Sequence, residues 1–192
     1  MSQSRRPETP RYPWYVRLIF GLQRRKYGQV LAPARLWGRA PRVFLAMSAM
    51  YGALDRRSSP VGPVLRSLVQ VRVSQLNGCP FCTDINAASG LQRGATPEQI
   101  AALPDFRAST LFTDAEKTAL HYAETMTDTR LPGGPALLET LRPYFSEDAI
   151  IELTALIAFQ NMSSKFNAAL GVEPQGFCAA RGQPAPAAAK RG

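Results

Sequence analysis

The chain has 192 residues, 45% of them hydrophobic, and carries 23 Lys or Arg against 14 Asp or Glu, a net charge of +9. That is enough chain to bury one substantial core and nothing in it requires a second globular domain. Three cysteines are too few and too unevenly spaced for a secreted disulfide framework, and no apolar run reaches the roughly 18 residues a membrane span needs, so a protein of a reducing compartment, the cytoplasm by default, is expected.

The charge is concentrated at one end. Residues 1–42 hold ten Arg or Lys against Glu8 alone, and the remaining residues hold thirteen of each sign. Such an arm suits a subunit contact or water. No helix-turn-helix, zinc-finger or RNA-binding signature accompanies it, so a nucleic-acid partner is not expected. Ser4-Arg5-Arg6 is similar to a twin-arginine leader, but Arg17 interrupts the apolar stretch after it and no small-residue cleavage site follows, so export is not expected.

In chain order, residues 1–12 read as a disordered basic arm. Pro13 opens a helix with Trp14, Tyr15, Leu18, Ile19 and Leu22 on its apolar face and Gly28 at its end. Pro41 starts another through Val43, Phe44, Met47, Met50 and Leu54, and a third runs from Val64 to Leu76. Asn77-Gly78 then leads into a helix that begins near Cys79 and stops at Gly94. Thr96-Pro97-Glu98-Gln99 and Thr113-Asp114-Ala115-Glu116 have the spacing of capping boxes, predicting helices to Leu103 and Met126. After Pro132-Gly133-Gly134-Pro135 come Leu137, Leu138 and Leu141, then a long helix from about Glu147 to Leu170, apolar on most sides and expected to be the buried central element. Residues 175–192 read as a low-complexity tail. No strand pattern survives, and the fold class is all-α with about seven or eight helices.

Chemistry is concentrated in Cys79-Pro80-Phe81-Cys82. Two thiols three positions apart at a helix start face the same way, and they can close a disulfide or share a reaction centre. A zinc site needs further ligands, for which only distant Cys178 and the single His121 are available, so no metal is expected. A thioredoxin-like site needs a βαβ setting that this helical chain lacks. His121 lies off the apolar stripe of its helix and reads as a surface residue, Asp84 as solvent-facing, and Cys178 as an incidental thiol. Arg72, close to the dithiol in sequence, is a candidate to stabilise a thiolate or to form a salt bridge. Phe81, Ile85 and Met162 are candidates to line a pocket or to be plain core.

The run Val71 to Asn86, with Phe112 to Leu120, Tyr144-Phe145-Ser146-Glu147 and Leu170-Gly171-Val172-Glu173-Pro174, resembles the alkylhydroperoxidase D and carboxymuconolactone decarboxylase superfamily in order and spacing. The resemblance covers residues 41–174, leaving 1–12 as the arm, 13–40 as an amphipathic helix and its connection, and 175–192 as the tail. It implies an all-α helical bundle that assembles as a dimer, trimer or hexamer. It also implies a thiol peroxidase in which Cys82 attacks a hydroperoxide and Cys79 resolves the sulfenic acid, with a lipoyl-type or other dithiol donor as reductant and no bound cofactor. The family's peroxidases carry a glutamate and a histidine as a proton relay where this chain has Ser67 and Asn86, which can hydrogen-bond a relay water but cannot hold a proton near neutral pH. A decarboxylase or hydrolase acting on a small acid or lactone, and a non-catalytic oligomeric redox sensor, are the other readings.

Overall fold

The computed structural model describes residues 10–131 and 133–179. The basic arm up to residue 9, Pro132 and the tail from residue 180 lie outside them. The described residues form nine α-helices and one 3-10 turn, with no strand: α1 (Trp14–Tyr27), α2 (Ala32–Trp37), α3 (Pro41–Leu54), α4 (Pro63–Leu76), α5 (Pro80–Gln92), α6 (Pro97–Ala102), the 3-10 turn Leu103–Asp105, α7 (Asp114–Thr127), α8 (Pro135–Leu141) and α9 (Glu147–Ala169). The all-α expectation holds, and α2 is the helix the sequence pattern did not reveal. With six residues it is too short to show a period, although Pro33 sits in its first turn. The chain divides into two compact units at Met50 and Tyr51.

In the first unit α1 buries Val16 and Phe20, not the expected face. Trp14, Leu18 and Leu22 are exposed, because Phe20 is the residue that joins Tyr12 and Phe44 in an aromatic cluster. Gly28 ends α1 in the left-handed conformation, as its position in the sequence indicates.

In the second unit the centre is α4. Every residue from Leu65 to Gln75 is buried, and α5, α7 and α9 pack around it. The expectation that α9 is the central element is therefore corrected: Ile151 on α9 is 65% exposed, so that helix has a solvent side. Periodicity misjudged α4 because Arg66, Ser67, Gln70, Arg72, Ser74 and Gln75 are among its buried residues. Such a helix looks half-polar in sequence, and only a partner for each polar group makes its burial tolerable.

Both capping boxes form. Thr96 Oγ1 accepts the Gln99 N–H at 3.1 Å while Gln99 Oε1 accepts the Thr96 N–H at 3.1 Å, and Thr113 and Glu116 repeat the exchange. Ser146 caps α9 by accepting from the Ala149 N–H.

Candidate active site around the dithiol

The end of α4 delivers the cysteines. Asn77 is the C-cap of the helix, Gly78 follows with φ +61°, and the backbone then reverses. The Cys79 N–H donates to Ser74 O at 3.0 Å and the Gly78 N–H to Gln75 O at 3.1 Å, the paired bonds of a Schellman motif. That conformation is strained for any residue with a Cβ, which explains the glycine.

Cys79 is the N-cap of α5 and Pro80 occupies its first turn. Cys79 Sγ accepts the Cys82 backbone N–H at 3.2 Å, so one thiol does the work that Ser or Asp usually does at a helix start. The Cys82 thiol also donates to Cys79, and this hydrogen bond, against the opposing effect of burial, holds Cys79 below the ordinary thiol range. Cys82 is pushed up, first by serving as that donor and then by its own burial. A single negative charge on the pair is thus favoured on Cys79 rather than on Cys82. The unpaired amides of a helix start stabilise a thiolate, and the geometry gives that benefit to Cys79, because the N-cap position meets the Cys82 N–H.

Neither sulfur lies in an oily pocket, although both are buried, Cys79 at 1% exposure and Cys82 at 3%. Asn167 of α9 donates through Nδ2 to Cys82 Sγ at 3.1 Å, and its amide lowers the pKa of both thiols. Gln160, two turns earlier on α9, also lowers that of Cys82 by hydrogen bonding. Gln160 Nε2 donates to Ser74 Oγ at 2.9 Å, Ser74 Oγ donates to Gln70 O, and Asn86 Nδ2 donates to Ser74 Oγ at 3.3 Å. Asn77 Nδ2 ties the α4 terminus to α9 through Asn161 Oδ1 at 2.9 Å and Ser164 Oγ at 2.8 Å. Three polar residues of α9, Gln160, Ser164 and Asn167, were the available sequence signal: they recur at steps of four and three, on one face.

The residues read from the sequence separate into two sets. Cys79, Cys82 and Asn86 come together, Asn86 through Ser74. Ser67 does not reach the thiols: its hydroxyl donates to Pro63 O at 3.2 Å and accepts from Arg93 Nη1 at 3.0 Å. It stands where α4 crosses α5, and a Cβ added at Gly90 would lie 3.2 Å from the Ser67 Cβ, so this crossing is a close packing contact. Arg72 also turns elsewhere. Its Nε donates to Glu124 Oε1 at 2.7 Å and its Nη1 to Gln75 Oε1 at 3.4 Å, a buried ion pair with α7. Arg107 pairs with the second oxygen of Glu124, and His121, exposed as expected, receives Arg107 Nη2 at 2.8 Å from its Nδ1. The Arg72 charge is thereby neutralised away from the sulfurs.

Asp84 is not solvent-facing. It is 2% exposed and its carboxylate accepts the backbone N–H groups of Phe177 and Cys178, each at 2.8 Å. The Cys178 thiol donates to Asp84 O at 3.3 Å, and Phe177 meets the edge of Phe81, their ring centroids 6.3 Å apart. Cys178 is therefore a buried part of a clasp that holds residues 177–178 on α5, and Asp84 was misjudged because its partners lie more than 90 residues downstream. Phe81 is buried in this contact, Ile85 is half-buried and Met162 is exposed. No cluster of metal-ligating side chains occurs among the described residues.

Residues 41–125 match the model of the carboxymuconolactone decarboxylase family. The uncharacterized protein YnjA of Escherichia coli K12 is 41% identical over 90% of this chain and 94% of its own length. The chain belongs to the carboxymuconolactone decarboxylase family. Its fold is shared with an uncharacterized peroxidase-related protein from Silicibacter sp. TM1040, at TM-score 0.80 and 23% identity over 92% of each chain. It is shared also with the debrominase Bmp8, solved as a cysteine-to-alanine variant in complex with 2,3,4-tribromopyrrole, at TM-score 0.75 and 19% identity over 86% of this chain and 88% of that one. Family members and fold neighbours thus include enzymes, and no helix among the described residues is long and apolar enough to cross a membrane.

Proposed function

We propose that the protein is a thiol-dependent peroxidase that reduces a hydroperoxide with the electrons of Cys79 and Cys82. The observation that carries this reading is a pair of adjacent, hydrogen-bonded thiols at the start of α5, with the amide of Asn167 directed at the Cys82 sulfur at 3.1 Å. The hydrogen bond between the thiols also suggests a substitute for the relay that Ser67 and Asn86 do not supply. Cys79 takes the proton of Cys82, and the Cys82 thiolate attacks the distal oxygen of the hydroperoxide. An S–O bond forms as the O–O bond breaks, and the alkoxide leaves with a proton from water. Cys79 then attacks the sulfenic sulfur, and its proton leaves with the hydroxyl as water, closing the disulfide. An external dithiol of lipoyl type restores the reduced pair, in a homo-oligomer working in a reducing compartment such as the cytoplasm.

The test is oxidation of the reduced protein by hydrogen peroxide and tert-butyl hydroperoxide. Two thiols per chain disappear in the wild type, Cys82→Ser abolishes the reaction, and Cys79→Ser accumulates a sulfenic acid that a cyclic dione traps. Turnover of a small acid or lactone that survives both serine changes supports the decarboxylase-like reading instead. Slow oxidation without recycling by dihydrolipoamide supports a redox sensor. The fold shared with Bmp8 favours one second reading, reductive dehalogenation, in which the same dithiol goes to a disulfide while an aryl C–Br bond becomes C–H and bromide is released. Bromide release from a bromopyrrole, dependent on both cysteines, is its signature.

A further inference from the structure

The polar cluster around the dithiol is nearly closed. Gln70, Ser74, Asn77, Asn86, Gln160, Asn161 and Ser164 each have a partner within it, and the Asn161 amide also reaches Thr127 Oγ1. Among the described residues only two buried side-chain atoms lack one, Arg66 Nε and Asn167 Oδ1. Asn167 is 2% exposed, so its carbonyl has neither protein nor bulk water as a donor, and an amide oxygen in that state carries its full desolvation penalty. The other end of the same amide holds Cys82 Sγ at 3.1 Å. An acceptor left open within one planar group of a reactive sulfur is a place for an incoming O–H donor, and its position on the long helix α9 fixes it there.

We propose that Asn167 Oδ1 is the receptor for the hydroxyl of the oxidant: it accepts the O–H of a hydroperoxide brought to Cys82 and then the O–H of the sulfenic acid formed there, while Nδ2 remains on the sulfur. This rests on the peroxidase reading and names the feature of the substrate that the site selects, a protonated terminal oxygen. Dialkyl peroxides and disulfides lack that hydrogen and gain nothing from the open carbonyl. The same hydrogen bond holds the sulfenic oxygen in place while Cys79 approaches from the helix cap.

Two oxidants of one dithiol separate this role from a merely structural one. Hydrogen peroxide presents an O–H, and an aromatic disulfide such as dithiodipyridine does not. The rate of thiol loss with each is measured on the full chain, and their ratio is the readout. Asn167→Ala is expected to lower the ratio of peroxide to disulfide rates by about tenfold, the size of one lost hydrogen bond to a reacting group. Asn167→Asp keeps an acceptor but removes the donor to sulfur, so it slows both oxidants and leaves the ratio within about twofold of the wild type, a prediction that stands even where the alanine variant does not fold. In a Cys79→Ser background, Asn167→Ala also shortens the lifetime of the trapped sulfenic acid. A ratio unchanged in Asn167→Ala, or lowered tenfold in Asn167→Asp, overturns the proposal while leaving the peroxidase reading intact. A wild type that reacts with peroxide no faster than free cysteine overturns both.

Discussion

Two buried polar clusters flank α4, and they are built on opposite principles. On the α7 side Glu124 takes Arg72 on one oxygen and Arg107 on the other, so a buried charge is surrounded and its hydrogen bonds are used up. On the α5 and α9 side the Cys79–Cys82 pair is held by neutral amides, one thiol hydrogen-bonds the other, and a carbonyl is left over. A closed ion cluster holds its helices together and has no capacity to react. An amide-lined pair has no cation to quench a thiolate when one forms, which preserves nucleophilicity at some expense of stability.

The first way to break the contrast is to open the closed cluster. Glu124→Ala leaves Arg72 buried without its carboxylate and is expected to destabilise the fold by about 3–5 kcal/mol, seen as a lower denaturant midpoint, with the alkylation rate of the folded protein's thiols little changed. An unchanged midpoint would show that this ion cluster is not what fastens α4 to α7. Releasing the clasp on α5 comes next. Asp84→Ala removes the acceptor of two backbone N–H groups, with an expected loss of about 1–3 kcal/mol, and exposes Cys178 to rapid alkylation in the native protein. Continued protection of Cys178, followed by mass spectrometry of the labelled peptides, would mean that the Phe81–Phe177 contact suffices. A smaller loss, about 1 kcal/mol, is expected of Gly78→Ala, which forces a Cβ into the left-handed turn of the Schellman motif.

The titration of the dithiol sharpens the same contrast with little change in stability. Cys79 is lowered, so the fold favours its charged form: that contribution is complete above the ordinary thiol pKa of about 8.5 and is lost as pH falls through the lowered value. Cys82 is raised, so it opposes folding as pH rises above the same ordinary value. Iodoacetamide labelling should therefore show one thiolate per pair forming below that value. Cys79→Ser removes the acceptor that drew the proton of Cys82 but leaves Cys82 buried, and the labelling midpoint moves upward. A midpoint that stays in place would assign the low-pKa thiolate to Cys82 itself.

Local signals in the chain were strong wherever structure is settled within a few residues. Thr96 to Gln99 and Thr113 to Glu116 specify their own helix starts, and Gly28 and Gly78 their own reversals, because caps and left-handed turns are made by neighbours in sequence. The dithiol was legible for the same reason, since three residues of helix bring Cys79 and Cys82 together.

What stayed hidden depended on partners far along the chain. Asp84 reads as a surface carboxylate until residues 177 and 178 fold back onto it, and Arg72 reads as a neighbour of the thiols until Glu124 claims it. Asn167 is one more polar residue in a helix until α9 lays its amide against Cys82, 85 positions earlier. The sequence alone determined the helices, their caps and the reactive sulfur pair, because each is set by contacts within a turn or two. Tertiary structure decided which amides reach the sulfurs and which buried polar atom is left open, because hydrogen-bond partners in a core are assigned by packing between helices and not by distance along the chain.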